Sequence, residues 1–482
     1  YPDYGVSWDE PIVVEYGAML QRYIVEGNPQ FVTAFDRYHG SLIPMLLAFF
    51  DAWMDDASTR ERYLYHHIFN FVVFWIGLCA FFALARKRWG EGAGEASLMA
   101  WLRRDGWALC AVLLLFLSPR MFAHSFYNCK DIPFLSFYIL ALYSGISLTE
   151  KPTIRRLFVH ALVTALLINI RIMGVLVLVY TGLFLLRMRR NGWRLVLGYG
   201  LATLLILQLT WPLLWIRGPW GIVEAIQHMS HFPWKGEVLY RGAFVAAENL
   251  PWHYPLVWIA ITVPVAYSVL FGLGLWSREW WGKERWIDQW VLLSGALPLV
   301  LIIGLGSVIY DGWRHLYFIY PAFLWCSVMG LRWLWLRSSR LGSLFIAGHS
   351  LWIAGVMVVM HPFQNVYFNV LAGPTDSIRA RYEVDYWGLV YRPLFEDLLA
   401  REEGVIHVGM ANIAAMYAKN ILTPEEQERI RFVSKREKAD YFVSNFRWHP
   451  AEYPFEKVQS IQVGGIEIGA SYRMRSSEDE KR

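Results

Sequence analysis

The sequence predicts a polytopic α-helical membrane bundle followed by a small external α/β region at the C-terminal end. Three observations carry this expectation. Of the 482 residues, 56% are hydrophobic and only 18% are charged, against roughly 25% charged in an average soluble protein. Aromatic residues reach 17%, with 25 Trp and 26 Tyr available for the two interfacial belts of a membrane protein. Positive charge, finally, is sorted between alternate loops. The mean hydropathy of +0.31 excludes a soluble globular domain and a disordered chain. The net charge of +5 is too small for a strongly basic nucleic-acid binder, so no nucleic-acid partner is expected.

Stretches near 20 apolar residues are long enough to cross the hydrocarbon core. They fall at about 62–85, 105–118, 132–148, 155–170, 172–188, 195–216, 254–276, 288–307, 316–335 and 342–360. Arg171 followed by Gly174 divides 155–188 into two helices meeting at a membrane surface. One alternating set of loops carries Arg86, Lys87 and Arg88, then Arg155 and Arg156, then Arg187, Arg189 and Arg190. It continues with Arg278 and Arg285, and ends with Arg332, Arg337 and Arg340. The opposite set carries only Arg120, Lys130, Arg171, Arg217, Lys235, Arg241 and Arg314. The positive-inside rule makes the first set cytoplasmic and places residues 1–61, 217–253 and 361–482 outside.

The expected division is therefore a membrane module over 1–360, with external loops 1–61 and 217–253, and an external domain over 361–482. Thr423-Pro424-Glu425-Glu426 is a capping box with Pro at the first helical position. Apolar runs at Ile406–Val408, Phe432–Val433, Tyr441–Val443 and Ile466–Ile468 read as short strands. Cys79, Cys110 and Cys326 lie in apolar runs and only Cys129 in a loop, so no disulfide framework is expected. No Asn begins an Asn-x-Ser/Thr sequon, which favours a bacterial inner membrane over a glycosylating lumen. The chain starts at Tyr1 without methionine or a signal-like segment. Ten spans join two external ends, so an eleventh span is expected upstream.

Ionisable groups at span ends are functional candidates in a membrane protein, and here they collect on the external side. The first loop holds Trp8-Asp9-Glu10-Pro11 and Asp36-Arg37-Tyr38-His39-Gly40, and the second holds Arg120, His124, Asn128, Lys130 and Asp131. Arg171 lies at the third external turn, and a later loop reads Tyr310-Asp311-Gly312-Trp313-Arg314-His315. Plainer readings stand beside the functional one. Asp9-Glu10 also suits the first turn of a surface helix, Lys130-Asp131 suits an intraloop ion pair, and Arg314-His315 suits an interface anchor. No His-x-x-x-His or Cys-x-x-Cys spacing supports a metal site. Carboxylates in the first two loops opposite cations at three other external positions are what sugar transfer from a lipid phosphate needs. A carboxylate takes the proton of an acceptor hydroxyl, and cations hold a phosphate whose charge grows as it leaves.

Trp8-Asp9-Glu10 resembles the Asp-Glu motif in the first external loop of protein O-mannosyltransferases. Ser118-Pro-Arg-Met-Phe-Ala-His-Ser-Phe-Tyr-Asn-Cys-Lys130-Asp131-Ile-Pro133 is similar to the second-loop motif of bacterial relatives, where a proline often stands in place of Cys129. Tyr310-Asp-Gly-Trp-Arg-His-Leu-Tyr317 and Glu383-Val-Asp-Tyr-Trp-Gly388 resemble the same branch. This resemblance implies the GT-C fold of lipid-phosphosugar-dependent glycosyltransferases, a group that includes the lipid A aminoarabinose transferases. It makes Asp9 the expected base, with Glu10 and Asp131 as further catalytic carboxylates. Lys130, Arg171, Arg314 and His315 become the candidates for the donor phosphate, and His39 and Tyr310 join the substrate-binding set. Some members of the superfamily bind a divalent metal at the acidic loops and others do without, so no cofactor is assigned and a metal stays open.

The expected function is thus transfer of a sugar from a polyprenyl-phosphate donor, with inversion, to an external acceptor that is a glycan, a lipid or a protein. The alternative is a transporter or flippase of an anionic lipid or lipid-linked sugar, which would place polar groups at mid-span and break helices in related halves.

Overall fold

The computed structural model describes residues 1–90, 98–230, 232–282 and 285–474. An amphipathic helix α1 (Asp9–Glu26) and the shorter α2 (Leu42–Trp53) precede α3 (Thr59–Trp89). The start of α3 is fixed by a capping box in which Ser58 and Glu61 bond each other's backbone N–H. Next come α4 (Leu98–Phe116), α5 (Pro119–Tyr127), α6 (Asp131–Glu150), α7 (Ile154–Ile168), α8 (Val175–Met188) and α9 (Gly192–Thr210). Two short helices, α10 (Pro212–Arg217) and α11 (Trp220–Ser230), lead to an antiparallel hairpin of β1 (Glu237–Tyr240) and β2 (Ala243–Ala246). The bundle closes with α12 (Tyr254–Thr262), α13 (Val265–Ser277), α14 (Trp286–Gly304), α15 (Tyr320–Arg337) and α16 (Ser339–Val359).

Every stretch expected to span is helical, but not every one is a single straight helix. Among the described residues, six helices meet the length and apolarity of a membrane span on their own, and up to eight if each of two bent pairs counts as one. Residues 105–118 run into α5 through a 69° bend, and 254–276 breaks between α12 and α13 by 116°. Proline explains both breaks, because the residue before it is driven out of the helical region. Ser118 before Pro119 and Val263 before Pro264 are extended. Trp211 before Pro212 ends α9 in the same way, so 195–216 is also not one helix. The division at Arg171 is present, with α7 and α8 separated by a short 3-10 turn over Ile172–Gly174.

The C-terminal part holds α17 (Thr375–Arg381), α18 (Tyr391–Arg401), β3 (Ile406–Met410), α19 (Ala414–Ala418), α20 (Pro424–Arg429), β4 (Ile430–Phe432), β5 (Tyr441–Ser444), β6 (Glu456–Val463) and β7 (Ile466–Arg473). The five strands form one mixed sheet in the order β4-β3-β5-β7-β6, with β3 parallel to β4 and β5. Thr423 and Glu426 make the expected capping box. Strand β6 escaped the sequence reading because, as an edge strand, it is largely polar and exposed along its length. The apolar core is continuous from the bundle into this region: Tyr4, Tyr127, Tyr317, Tyr386 and Trp387 belong to one buried cluster.

Candidate functional site

Loops at one end of the bundle and the C-terminal part converge on a cavity of about 210 Å³. Asp9, His39, Lys130, Arg171, Tyr310, Arg314 and His315 all line it, although they come from five separate stretches of sequence. Each is placed by local chemistry. Asp9 opens α1, where the helix dipole favours a carboxylate. Gly40 lets the chain after His39 lie against Asn169, because a Cβ there would meet the Asn169 carbonyl oxygen at 1.9 Å. The Asn169 side chain in turn accepts from Ser41 N and Oγ at 2.9 Å, which ties the His39 loop to the turn bearing Arg171. In the second loop, Asn128 Oδ1 accepts from the backbone N–H of Lys130 (3.3 Å) and Asp131 (2.9 Å) and so starts α6.

The electrostatics form a chain of alternating charge. Arg171 Nη2 lies 2.5 Å from Asp131 Oδ1, and Arg314 Nη1 lies 3.3 Å from Asp131 Oδ2 and 3.2 Å from Asp9 Oδ2. Arg314 Nη2 reaches Asp311 at 3.3 Å, whose other oxygen takes Arg447 Nη2 at 2.7 Å. The Arg314 guanidinium is also held between the rings of Tyr310 and Trp387, 5.0 Å from each. A second branch pairs Lys130 with Asp36 at 2.9 Å, and His39 Nδ1 with the other Asp36 oxygen at 3.2 Å.

These contacts separate the carboxylates by availability. Asp36 and Asp311 have both oxygens engaged, and Asp131 is buried behind the cavity between two arginines. Asp9 engages only one oxygen among the described residues and remains partly exposed to the cavity. Burial would raise its pKa, but the charges of Lys130 and Arg314, helped by Arg171, outweigh burial and hold the carboxyl below its usual value. Burial likewise opposes the charge on Lys130, and Asp36 and Asp9 overcome it, so the ammonium is held more firmly than usual. Burial pushes Tyr310 up to about 12, which keeps its hydroxyl neutral.

Three placements differ from expectation. Glu10 turns away from the cavity: it accepts from Ser7 N at 2.6 Å and pairs with His67 at 3.0 Å. The two readings of Asp9-Glu10 therefore divide between the neighbours, with Glu10 serving the helix start and Asp9 the cavity. Lys130 does not pair with Asp131 next to it but with Asp36. Asp131 lies beneath the cavity rather than on its wall, where it orients Arg171 and Arg314.

The sequence reading also missed residues. Asp36 and Asp311 lie within the polar clusters of their loops and tie down Lys130, Arg314 and Arg447, and Asn128 holds the start of α6. Trp234 from the loop after α11, and Trp387, Arg447 and Trp448 from the C-terminal part, line the cavity too. Nothing in the local pattern of 445–449 signals this, because the partner of Arg447 is 136 residues away.

A second cavity of about 240 Å³ adjoins the first and shares His39, Arg171, Phe232, Tyr310 and His315 with it. Its remaining wall is mainly apolar, with Ile172, Met173 and Leu176 on one side and Leu301, Ile302 and Ile309 on the other. Arg171 Nε and His315 Nδ1 have no hydrogen-bond partner among the described residues, and both residues stand at the seam between the cavities. Among the described residues no group of three or more His, Cys, Asp or Glu could hold a metal ion. The donor set does not fit one in any case: the Arg314 guanidinium already bridges Asp9 and Asp131, the two acidic-loop residues.

No family model matches the chain, and no curated protein sequence matches it significantly. Similarity is found among solved structures. ArnT from Cupriavidus metallidurans in the apo state aligns over 97% of this chain and 94% of that one, at 11% identity and a TM-score of 0.49. ArnT from the same organism bound to undecaprenyl phosphate aligns over the same shares at 12% identity and a TM-score of 0.47. The Archaeoglobus fulgidus oligosaccharyltransferase, in complex with zinc and sulfate, aligns over 92% of this chain and 64% of that one, at 10% identity and a TM-score of 0.39. Likeness at this distance carries no residue role and no ligand across to this chain.

Proposed function

We propose that the chain transfers a sugar from a polyprenyl-phosphate donor to an external acceptor, with inversion at the anomeric carbon. The observation that supports this most is the seam: a charged cavity meets an apolar groove at Arg171 and His315. A ligand suited to that pair of cavities has a long apolar tail, an anionic link at the junction and a polar head. The isoprenoid chain lies between α8 and α14, and the phosphate meets Arg171 and His315 at the seam. The sugar then projects toward Asp9. On this reading the cavity faces the periplasm.

In the reaction, the acceptor oxygen bonds the anomeric carbon while the bond from that carbon to the phosphate oxygen breaks on the opposite side. The acceptor proton passes to Asp9, and the electron pair leaves with the polyprenyl phosphate. Growing charge on the phosphate is stabilised by Arg171 and His315, and Arg314 is held beside Asp9 by fixed ion pairs, so little reorganisation is needed during the step. Phosphate is a good enough leaving group that no separate general acid is required.

Native mass spectrometry of the full chain with undecaprenyl phosphate tests the seam. Arg171→Ala is expected to weaken binding at least about tenfold, as loss of a charge-assisted contact of roughly 1.5–3 kcal/mol requires. Leu305→Trp fills the groove and is expected to weaken it as well. Equal binding by wild type and both variants would overturn the reading. The flippase reading draws some support from the bent pairs α4–α5 and α12–α13. It is separated by Asp9→Asn, which lowers a transferase's turnover by about two to four powers of ten and leaves a flippase's lipid translocation intact.

A further inference from the structure

Away from the apolar groove, the charged cavity shares one wall residue, Trp448, with an outer depression that forms a second candidate mouth. That depression, of about 270 Å³, is lined by Trp448 with Glu237 and Phe244 of the β1–β2 hairpin. The loop that delivers Trp448 is strained: Phe446 has φ 59° and Trp448 φ 60°, a region that bulky residues avoid unless the surroundings impose it. Between them, Arg447 is clamped by Asp311 at 2.7 Å and by the Tyr386 carbonyl at 2.6 Å. Its guanidinium lies 5.3 Å from the Trp8 ring and 4.7 Å from the Trp448 ring, and those two rings meet edge-on at 6.0 Å. The Trp448 indole N–H is bonded to the Glu237 carbonyl at 3.0 Å, which anchors one edge of the ring while 41% of the residue stays exposed.

Resting on the transferase reading, we propose that this mouth is the acceptor subsite and that its ligand is a saccharide, free or as the headgroup of a glycolipid. Trp8, Trp234 and Trp448 offer flat apolar surface, and the Arg447 guanidinium, fixed by Asp311 and the Tyr386 carbonyl, lies beside the Trp8 and Trp448 rings. That combination suits the alternating C–H faces and hydroxyl edges of a pyranose. A peptide acceptor would be recognised through strand pairing or an apolar side-chain pocket. On β1 and the turn the hairpin backbone is already engaged, through Trp448, the Tyr240–Tyr382 bridge and the Gly242 N–H to the Arg381 carbonyl. The strained loop then has a purpose, since it fixes one aromatic wall of the subsite and one positioning cation by the same backbone turn.

The test is a photo-crosslinker, p-benzoylphenylalanine, in place of Phe244 in the full chain within living cells. Phe244 lies at the mouth and outside the catalytic machinery. The expected adduct is periodate-sensitive and protease-resistant, and mass spectrometry reports acyl chains if the saccharide is a lipid headgroup and none if it is free. Trp448→Ala is expected to lower the adduct yield roughly two- to twelvefold, the range of a lost aromatic contact, and Trp448→Phe to restore part of it. A peptide adduct, an adduct without sugar, no adduct, or a yield indifferent to Trp448→Ala would each overturn the proposal. Failure of the transferase reading is distinguishable: the saccharide adduct would form in a protein that transfers nothing.

Discussion

Two buried arginine–aspartate clusters lie at opposite ends of the bundle, and they differ in how tightly they close. At the end away from the cavity, Arg88 Nε bonds both oxygens of Asp288 at 2.8 and 2.7 Å, and the Trp325 indole N–H adds a third bond at 3.0 Å. Trp89 and Trp325 cover it with ring centroids 4.2 Å apart, and Asp288 is fully buried. At the other end Arg314 is shared among Asp9, Asp131 and Asp311 at 3.2–3.3 Å, and Asp9 keeps an oxygen for the cavity. The same two residue types make a closed pin in one place and an open site in the other. A saturated, covered ion pair can only hold helices together, whereas a shared cation beside an unsaturated carboxylate can exchange partners with a ligand.

The largest expected effect breaks the open side. Asp9→Asn is nearly isosteric but cannot take the proton, so turnover is expected to fall by about two to four powers of ten, with thermal stability unchanged. Wild-type turnover in this variant would remove Asp9 as the base. In wild type, the lowered pKa of Asp9 puts the acid limb of the rate profile below the pH at which an ordinary aspartate titrates.

Next is the closed side. Arg88→Ala strands a buried carboxylate and is expected to cost about 3–5 kcal/mol of stability, read by thermal unfolding in detergent, while turnover per folded molecule stays near wild type. If Arg88→Ala instead lost turnover at full stability, the distinction between pin and site would fail.

Much of the architecture was legible because apolarity and charge sorting survive without tertiary information. The positions of α3, α6, α14 and α16 follow from apolar length alone. The breaks at Ser118 and Val263 were also written in the sequence, in the prolines that follow them, but hydropathy averages across a proline. The lining of the cavity was legible where its residues sit in short polar clusters, as Asp9, Lys130 and Arg314 do. Arg447 and Trp448 were not legible: they reach the cavity through a loop whose placement depends on the whole C-terminal sheet and on Asp311. Glu10 was misplaced because neighbouring carboxylates on a helix start point about 100° apart, and sequence does not say which one faces the cavity.

A further expected effect sharpens the boundary between the two kinds of cluster. Glu383, buried beside Arg447, has its pKa pushed up to about 8 by burial, with Arg447 opposing and Asp311 adding to the rise. A folded-state pKa above the unfolded value means that its contribution is fully present below the unfolded pKa and is lost as pH rises through about 8. Wild-type thermal stability is therefore expected to decline between about pH 5 and 8, and Glu383→Gln to flatten that decline. An unchanged slope in Glu383→Gln would place the titrating group elsewhere.

The most direct measurement is a structure of the full chain with undecaprenyl phosphate bound. The expected result is the phosphate within hydrogen-bond distance of the Arg171 guanidinium and the His315 ring, the isoprenoid chain between α8 and α14, and Asp9 facing the far side of the phosphate. A phosphate bound at the Arg88–Asp288 end, or a chain running outside that groove, would contradict it.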